Sequence, residues 1–193
     1  SFEDPVFRLY LVLFCIPLGI LAGGVSALFI RSIYKAEDLF AVLLKNDYIR
    51  HMTGMFFVGV MMFSFMKYSG HYYTEGVGYA TIMDILRHDL SSPGFLALLF
   101  LAKMLATDLT LGSGASGGIF SPSLFLGATL GSAFGNLLAL TMPGMGIDPA
   151  VFAIAGMAGL VAGTTWALLT AIFMTFEQTR DYAAILPIIT TVS

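Results

Sequence analysis

The stretch Leu111-Gly112-Ser113-Gly114-Ala115-Ser116-Gly117-Gly118-Ile119-Phe120-Ser121-Pro122 lies between two apolar segments of helical composition. It belongs to residues 109–147, a run of 39 residues without a charge. As one α-helix that run would be about 58 Å long at 1.5 Å per residue, roughly twice a bilayer core of ~30 Å. The run therefore breaks. Gly112, Gly114, Gly117 and Gly118 ahead of Pro122 mark one break, and Pro143-Gly144 with Gly146 mark another. Extended backbone at membrane depth is tolerated only where it is buried in protein or lines a cavity.

After the first break, Ser121-Pro122 reads as N-cap and first residue of a new helix over about residues 123–140. Such a helix aims its N-terminus into the protein interior. Four orphan N–H groups and about half a positive charge collect there. The product is an anion site that needs no cationic side chain. Residues 109–147 indeed hold no Lys or Arg. A desolvated ammonium would grip a small anion strongly, whereas a conducting site also has to release it. The same glycines also suit close helix packing, and spacing alone does not separate the two uses.

Composition frames this stretch. Of 193 residues, 58% are hydrophobic and 11% charged, with a mean hydropathy of +0.88. Soluble domains carry about 25% charged residues, so this chain has too little charge to cover a water-facing surface. The same numbers exclude disorder. Nine basic residues against 12 acidic ones, with no basic stripe, argue against nucleic acid as a partner. A single cysteine, Cys15, rules out a disulfide or a cysteine-based metal site within the chain. A polytopic membrane protein remains.

The other spans follow from the charge-free runs. Residues 9–30 give 22 uncharged residues, enough for one crossing. Residues 31–50 read as a charged, amphipathic connector, with Leu39, Phe40, Val42 and Leu43 on a short interfacial helix. Residues 52–66 form a second apolar segment. Residues 67–92 are the most polar part, and 93–107 are helical in composition with Lys103 inside. Residues 149–176 form a 28-residue run opened by Asp148 as N-cap and Pro149 as first helical residue. A last run, 182–193, carries Pro187. Gly127, Gly131 and Gly135 make a double small-xxx-small pattern for close helix contact. The expectation is a single all-α membrane domain over 1–193, with tightly packed, tilted and partly broken helices. The opening Ser1 and the uncharged end at Ser193 are expected to reflect a piece of a longer protein.

Three motif matches compete in the central stretch. Gly112-x-Gly114-x-x-Gly117 fits a dinucleotide fingerprint, but no strand precedes it and no acid follows about 20 residues on. No Gly-Lys-Ser/Thr follows, so it is not a P-loop. Gly114-Ala115-Ser116-Gly117 resembles the nucleophile motif of rhomboid intramembrane proteases. Those need a histidine on a later helix, and no histidine follows His88.

Residues 113–122, with the pattern Gly-Ile-Phe-Ser-Pro at 118–122, resemble the signature of the CLC chloride channels and transporters. Leu124-Phe125-Leu126-Gly127-Ala128 and Phe152-Ala153-Ile154-Ala155-Gly156-Met157-Ala158-Gly159 are similar to that family too. So are Ala162-Gly163-Thr164-Thr165, Leu168-Leu169-Thr170, Phe176-Glu177 and Tyr182 through Leu186-Pro187. Gly76-Val77-Gly78-Tyr79 sits where the family has a glycine–aromatic turn. The resemblance is collinear over nearly the whole chain.

The resemblance implies most of the second half of a dimeric, inverted-repeat pore domain, multi-pass in a plasma or inner membrane. It implies chloride as the transported ligand, no cofactor, and no enzymatic activity. Backbone amides of Ile119 and Phe120 would coordinate the anion, flanked by Gly118 and Ser121, with the Phe120 ring lining the pore. Gly114, Ser116, Gly117 and Pro122 would shape the loop. Leu168, Ile172 and above all Ile185 would lie at the interface of a homodimer. The family's serine-bearing and glutamate-bearing anion segments, and its pore tyrosine, have no counterpart in this chain, so channel and proton-coupled exchanger both stay open. Many relatives carry Arg-Ala-Pro or similar where this chain has Trp166-Ala167-Leu168, and the lost proline is expected to alter that helix start. Alternatives from other classes are an intramembrane serine protease and a carboxylate or other anion transporter using the same helix-end physics.

Remaining polar residues admit plainer roles. Lys103 and Asp108 are intramembrane charges next to the proposed site, yet each could reach an interface or pair with a neighbour. Glu177 could carry protons or accept N–H bonds at a turn. His51, His71 and His88 lack ligand spacing and read as solvated loop residues. Met61, Met62 and Met66 read as lipid- or helix-facing bulk. Arg31, Lys35, Lys45 and Arg50 favour a cytoplasmic connector, whereas the family resemblance implies the outer face, so orientation stays open.

Overall fold

The computed structural model describes the backbone over residues 5–69, 78–90, 92–143 and 145–179, and side chains within these stretches from residue 13 to 67 and from 78 to 165. All regular elements among the described residues are α-helices: α1 Pro5–Leu43, α2 Asp47–Ser69, α3 Tyr79–Leu86, α4 Pro93–Gly112, α5 Phe120–Thr141 and α6 Pro149–Thr179. Stretches of α1, α2, α4 and α5 are each long and apolar enough to cross a bilayer. Their outer faces carry Leu13, Ile16, Ile20, Phe56, Phe63 and Leu105, all exposed. An all-α, multi-pass integral membrane protein is the outcome.

α1 corrects one expectation. Residues 31–43 are not a separate interfacial helix; they continue α1, which runs 39 residues through Pro17 to Leu43. No Gly or Pro interrupts residues 25–43, so nothing there stops the helix. Packing holds the extension in place as well. Phe29 and Ile33 are buried in a cluster with Leu126 and Leu160, and Gly112 at the end of α4 lies so close that an added Cβ would meet the Ala36 Cβ at 2.8 Å. A 39-residue helix exceeds one crossing, so α1 tilts or emerges from the hydrocarbon.

α5 and α6 form the most extensive helix pair, and α1 and α4 brace them. The small-residue pattern is the reason for that contact. An added Cβ at Gly127 would stand 2.6 Å from the Met157 Cα, and one at Gly135 would stand 2.8 Å from the Pro149 Cα. Gly131 abuts the Phe152 carbonyl and Gly156 the Gly127 carbonyl. Backbones therefore touch directly, as small residues permit where no hydrophobic force drives helices together. A second cluster joins Ile82 and Ile85 of α3, Leu96 and Leu99 of α4, Phe125 and Ala128 of α5 and Ala153 of α6.

α6 opens as its sequence demands. Asp148 Oδ1 accepts the Ala150 N–H at 2.9 Å, and Pro149 is the first helical residue. Through Trp166-Ala167-Leu168 the helix continues without a break to Thr179. Leu168 has the N–H that a proline would lack, so the helical ladder can carry on.

Candidate functional site

α4 ends and α5 begins inside the same bundle, and the seven residues between them make the loop. α4 closes at Gly112 with Ser113 N–H bonded to the Leu109 carbonyl at 3.1 Å and Ala115 N–H to the Thr110 carbonyl at 3.1 Å. Gly114 then adopts φ +82, the left-handed region, with Arg50 Nη2 3.0 Å from where its Cβ would be. The Arg50 guanidinium thus lies beside the α4 C-terminus, where the helix dipole favours a cation. It also pairs with Asp47 at 3.3 Å.

The start of α5 differs from the sequence reading. The N-cap is Ile119, and Ser121 and Pro122 are the second and third helical residues. Ile119 wins because its carbonyl accepts twice from Ser123: the N–H at 3.0 Å and the Oγ at 2.8 Å. Proline fits in a first turn because N–H groups there have no intrahelical partner to lose.

The N–H groups of Gly117, Gly118, Ile119 and Phe120 donate to no carbonyl among the described residues. Gly117 and Gly118 line an open cleft of about 380 Å³, and Ile119 and Phe120 follow them in the chain. Ser116, Gly117, Gly118, Ser121 and Pro122 line it on the loop side. Lys103, Thr107 and Thr110 line it from α4, and Val58 and Met62 from α2. Thr107 and Thr110 spend their hydroxyl protons on the Lys103 and Ala106 carbonyls, at 2.8 and 2.7 Å. Donors facing the cleft from the loop are the Gly117 and Gly118 amides and the Ser116 hydroxyl, with the Lys103 side chain on the α4 wall.

Five of the eight loop and anion-site residues expected from sequence line this cleft. The other three stand apart from its lining. Ile119 packs its side chain against the cluster around Phe29 and Leu126, the Phe120 ring is 61% exposed, and Gly114 faces Arg50. The cleft also holds Lys103, the intramembrane charge that the sequence places next to the loop, and it is only 4% exposed. It reaches the cleft from α4, the helix that ends at the loop. Met62, read as bulk, is cleft lining. Asp108 is not part of the cleft. It turns to α1, where Ser32 Oγ donates to its Oδ1 at 3.0 Å.

Among the histidines, His88 is a partnered residue: its Nε2 lies 3.4 Å from Asp148 Oδ1. His51 is exposed on α2. Gly78, with φ +75, caps α3 and lies so near Phe125 that a Cβ would be 2.5 Å from the ring. No histidine lines the cleft beside Ser116 among the described residues. His71 and Ile185 lie outside the described residues, as do the side chains of Leu168, Ile172 and Glu177.

The α4–α5 loop and its cleft fall within the residues matched by sequence comparison. The family model described as voltage gated chloride channel matches residues 1–193. The chain belongs to that family. Among its curated relatives is an H(+)/Cl(-) exchange transporter ClcA of Vibrio parahaemolyticus, 41% identical over 175 residues, covering 90% of this chain and 37% of the relative. The namesake from Vibrio campbellii is 38% identical over 174 residues, covering 90% and 36%. That of Yersinia pestis is 37% identical over 189 residues, covering 98% and 38%. The chain thus spans little more than a third of the length of these family members. Their names describe transporters.

Proposed function

We propose that this chain supplies one wall of a chloride pathway in a longer membrane protein, and that the pathway works as a proton-coupled exchanger. The observation that carries the reading is the set of orphan N–H groups from Gly117 to Phe120 at the rim of a cleft that also holds the buried Lys103. Helix-end amides replace the anion's hydration water with fixed partial charges. Partial charges hold a small anion more gently than a contact ion pair, which suits a site that fills and empties. Lys103 adds attraction from the cleft wall. Ile119 and Phe120 supply the amides at the start of α5, Gly118 and Ser121 flank them, and Gly114, Ser116, Gly117 and Pro122 set the turn.

Exchange is favoured over passive conduction by the names of the relatives, each an H(+)/Cl(-) exchange transporter. The remaining pathway and the proton route would come from segments those relatives carry outside the matched region. A homodimer is proposed with Ile185, Leu168 and Ile172 at its contact.

The test is reconstitution of the parent protein in liposomes with a chloride gradient and a pH electrode. Chloride movement that drives protons uphill is expected. Chloride flux that leaves protons at equilibrium would make it a channel, and no chloride flux would end the reading. Ile185→Trp is expected to shift the protein from dimer to monomer in detergent; an unchanged dimer removes that contact.

A further inference from the structure

Ser123 and Thr164 are buried polar residues facing each other across the α5–α6 contact. Ser123 is 0% exposed and Thr164 4%. Their hydroxyl oxygens stand 3.1 Å apart. Ser123 Oγ is also 2.8 Å from the Ile119 carbonyl, and Thr164 Oγ1 is 2.9 Å from the Leu160 carbonyl. Neither residue lines the cleft.

The Ile119 carbonyl and the Phe120 N–H are the two ends of one peptide group. That group is planar and trans, so a bond that fixes the carbonyl fixes the N–H, which points the opposite way. Ser123 holds this carbonyl with both its N–H and its Oγ. Two bonds to one carbonyl also polarise the peptide and strengthen the donor at its far end. Serine is a small side chain with three staggered positions, and its single proton has two acceptors in reach, Ile119 O and Thr164 Oγ1. Thr164 spends its proton on the Leu160 and Val161 carbonyls, at 2.9 and 3.1 Å, so its oxygen accepts from Ser123 and holds the Ser123 Oγ in the position from which it also reaches the Ile119 carbonyl. The surrounding backbone is stiff: Gly127 and Gly131 abut Gly156 and Phe152, so α6 presents Thr164 from a fixed position.

We propose that Ser123, held by Thr164 of α6, is a positioning residue that aims the Phe120 amide at the transported anion, and so sets affinity and anion preference. This rests on the anion-pathway reading above. It differs from a packing role because it acts on one peptide plane.

The experiment measures chloride and nitrate affinity by titration calorimetry on the purified parent protein, with Ser123→Ala, Thr164→Val, Thr164→Ser and the double variant S123A/T164V. Ser123→Ala is expected to weaken chloride binding roughly five- to tenfold, the scale of one neutral hydrogen bond, and to shift the chloride-to-nitrate ratio. Thr164→Val should move both in the same direction by less, and Thr164→Ser should restore wild-type values. If Thr164 acts through Ser123, the double variant equals S123A, whereas independent effects would add. Wild-type affinity and ratio in S123A overturn the inference and leave the anion pathway standing. Additive effects in the double variant overturn the role of Thr164. Failure of the unmodified protein to bind chloride overturns the pathway reading and this inference together. Should S123A not yield a monodisperse protein, T164V decides alone, and an unchanged ratio in it overturns the inference.

Discussion

Lys103 Nζ stands 5.3 Å from the centroid of the Phe125 ring. The ring is fully buried, and its far side helps fill the cluster with Ile82, Leu96 and Ala153. A cation over an aromatic face is attracted by the ring quadrupole, more so when desolvated. The contact keeps the ammonium at the cleft wall while α4 crosses apolar surroundings. It links the core around α3 to the cleft beside the α4–α5 loop.

From that contact, Lys103→Met is expected to keep the fold and to cut chloride flux at low salt about tenfold. Tenfold corresponds to ~1.4 kcal/mol, within what an effective dielectric of about 20 gives one charge acting over several ångströms. Lys103→Arg should retain most of the flux, because guanidinium stacks on an aromatic face at least as well. Initial rates from a chloride electrode, measured for all three proteins at one reconstituted density, check this. Equal flux in Lys103→Met would mean that the ammonium serves packing alone.

Asp148 serves two partners with one oxygen: it caps α6 through the Ala150 N–H at 2.9 Å and lies 3.4 Å from His88 Nε2. Losing a side-chain cap costs about 1 kcal/mol, while an exposed pair contributes about 0.5 kcal/mol or less. Asp148→Ala is therefore expected to lower the melting temperature in detergent clearly more than His88→Ala does. Asp148→Asn should stay near wild type, since asparagine caps equally well. Equal losses for Asp148→Ala and His88→Ala would assign the stability to the pair instead of the cap.

That cap was legible from Asp148-Pro149 alone, as were the apolar spans and the break before α5. Each depends on chemistry within a few residues of itself. The length of α1 is less legible, because the charges at 31–50 suggest a connector at the interface while packing of Phe29, Ile33 and Ala36 carries the helix on. The true N-cap, Ile119, was hidden because Ser121 is the better capping residue by type, and only the double acceptance by the Ile119 carbonyl decides otherwise. The Lys103–Phe125 and Ser123–Thr164 contacts lie beyond local reading. They join residues far apart in the chain, through helix positions that a sequence pattern does not fix.

The α5–α6 contact predicts a steep response to one methyl group. A Cβ at Gly131 would drive into the Phe152 carbonyl, a backbone group that cannot swing aside. Gly131→Ala should destabilise by about 2–3 kcal/mol, the upper end of overpacking costs. Gly59 on α2 has nothing within 4 Å of an added Cβ. Gly59→Ala should leave stability unchanged or raise it by up to about 1 kcal/mol, the helix-propensity difference. Parallel thermal melts of the two variants make the comparison, and similar losses at both positions would contradict the close backbone contact.

The loop glycines separate folding from transport. Gly114 sits at φ +82, a conformation that costs a side chain about 1–2 kcal/mol, and a Cβ there would also press on Arg50 Nη2 at 3.0 Å. Gly114→Ala is thus expected to lower both stability and flux. Gly118 is different: its φ is not in the left-handed region and nothing lies within 4 Å of an added Cβ. It lines the cleft next to the Ile119 and Phe120 amides. Gly118→Leu should therefore melt like the unmodified protein while its bulk excludes the anion and abolishes chloride flux. Liposome flux and a melting curve on the same preparation test both halves. A well-folded Gly118→Leu protein that still moves chloride at the normal rate would remove this loop from the anion's path, because no rearrangement of the fold would be available to explain the result.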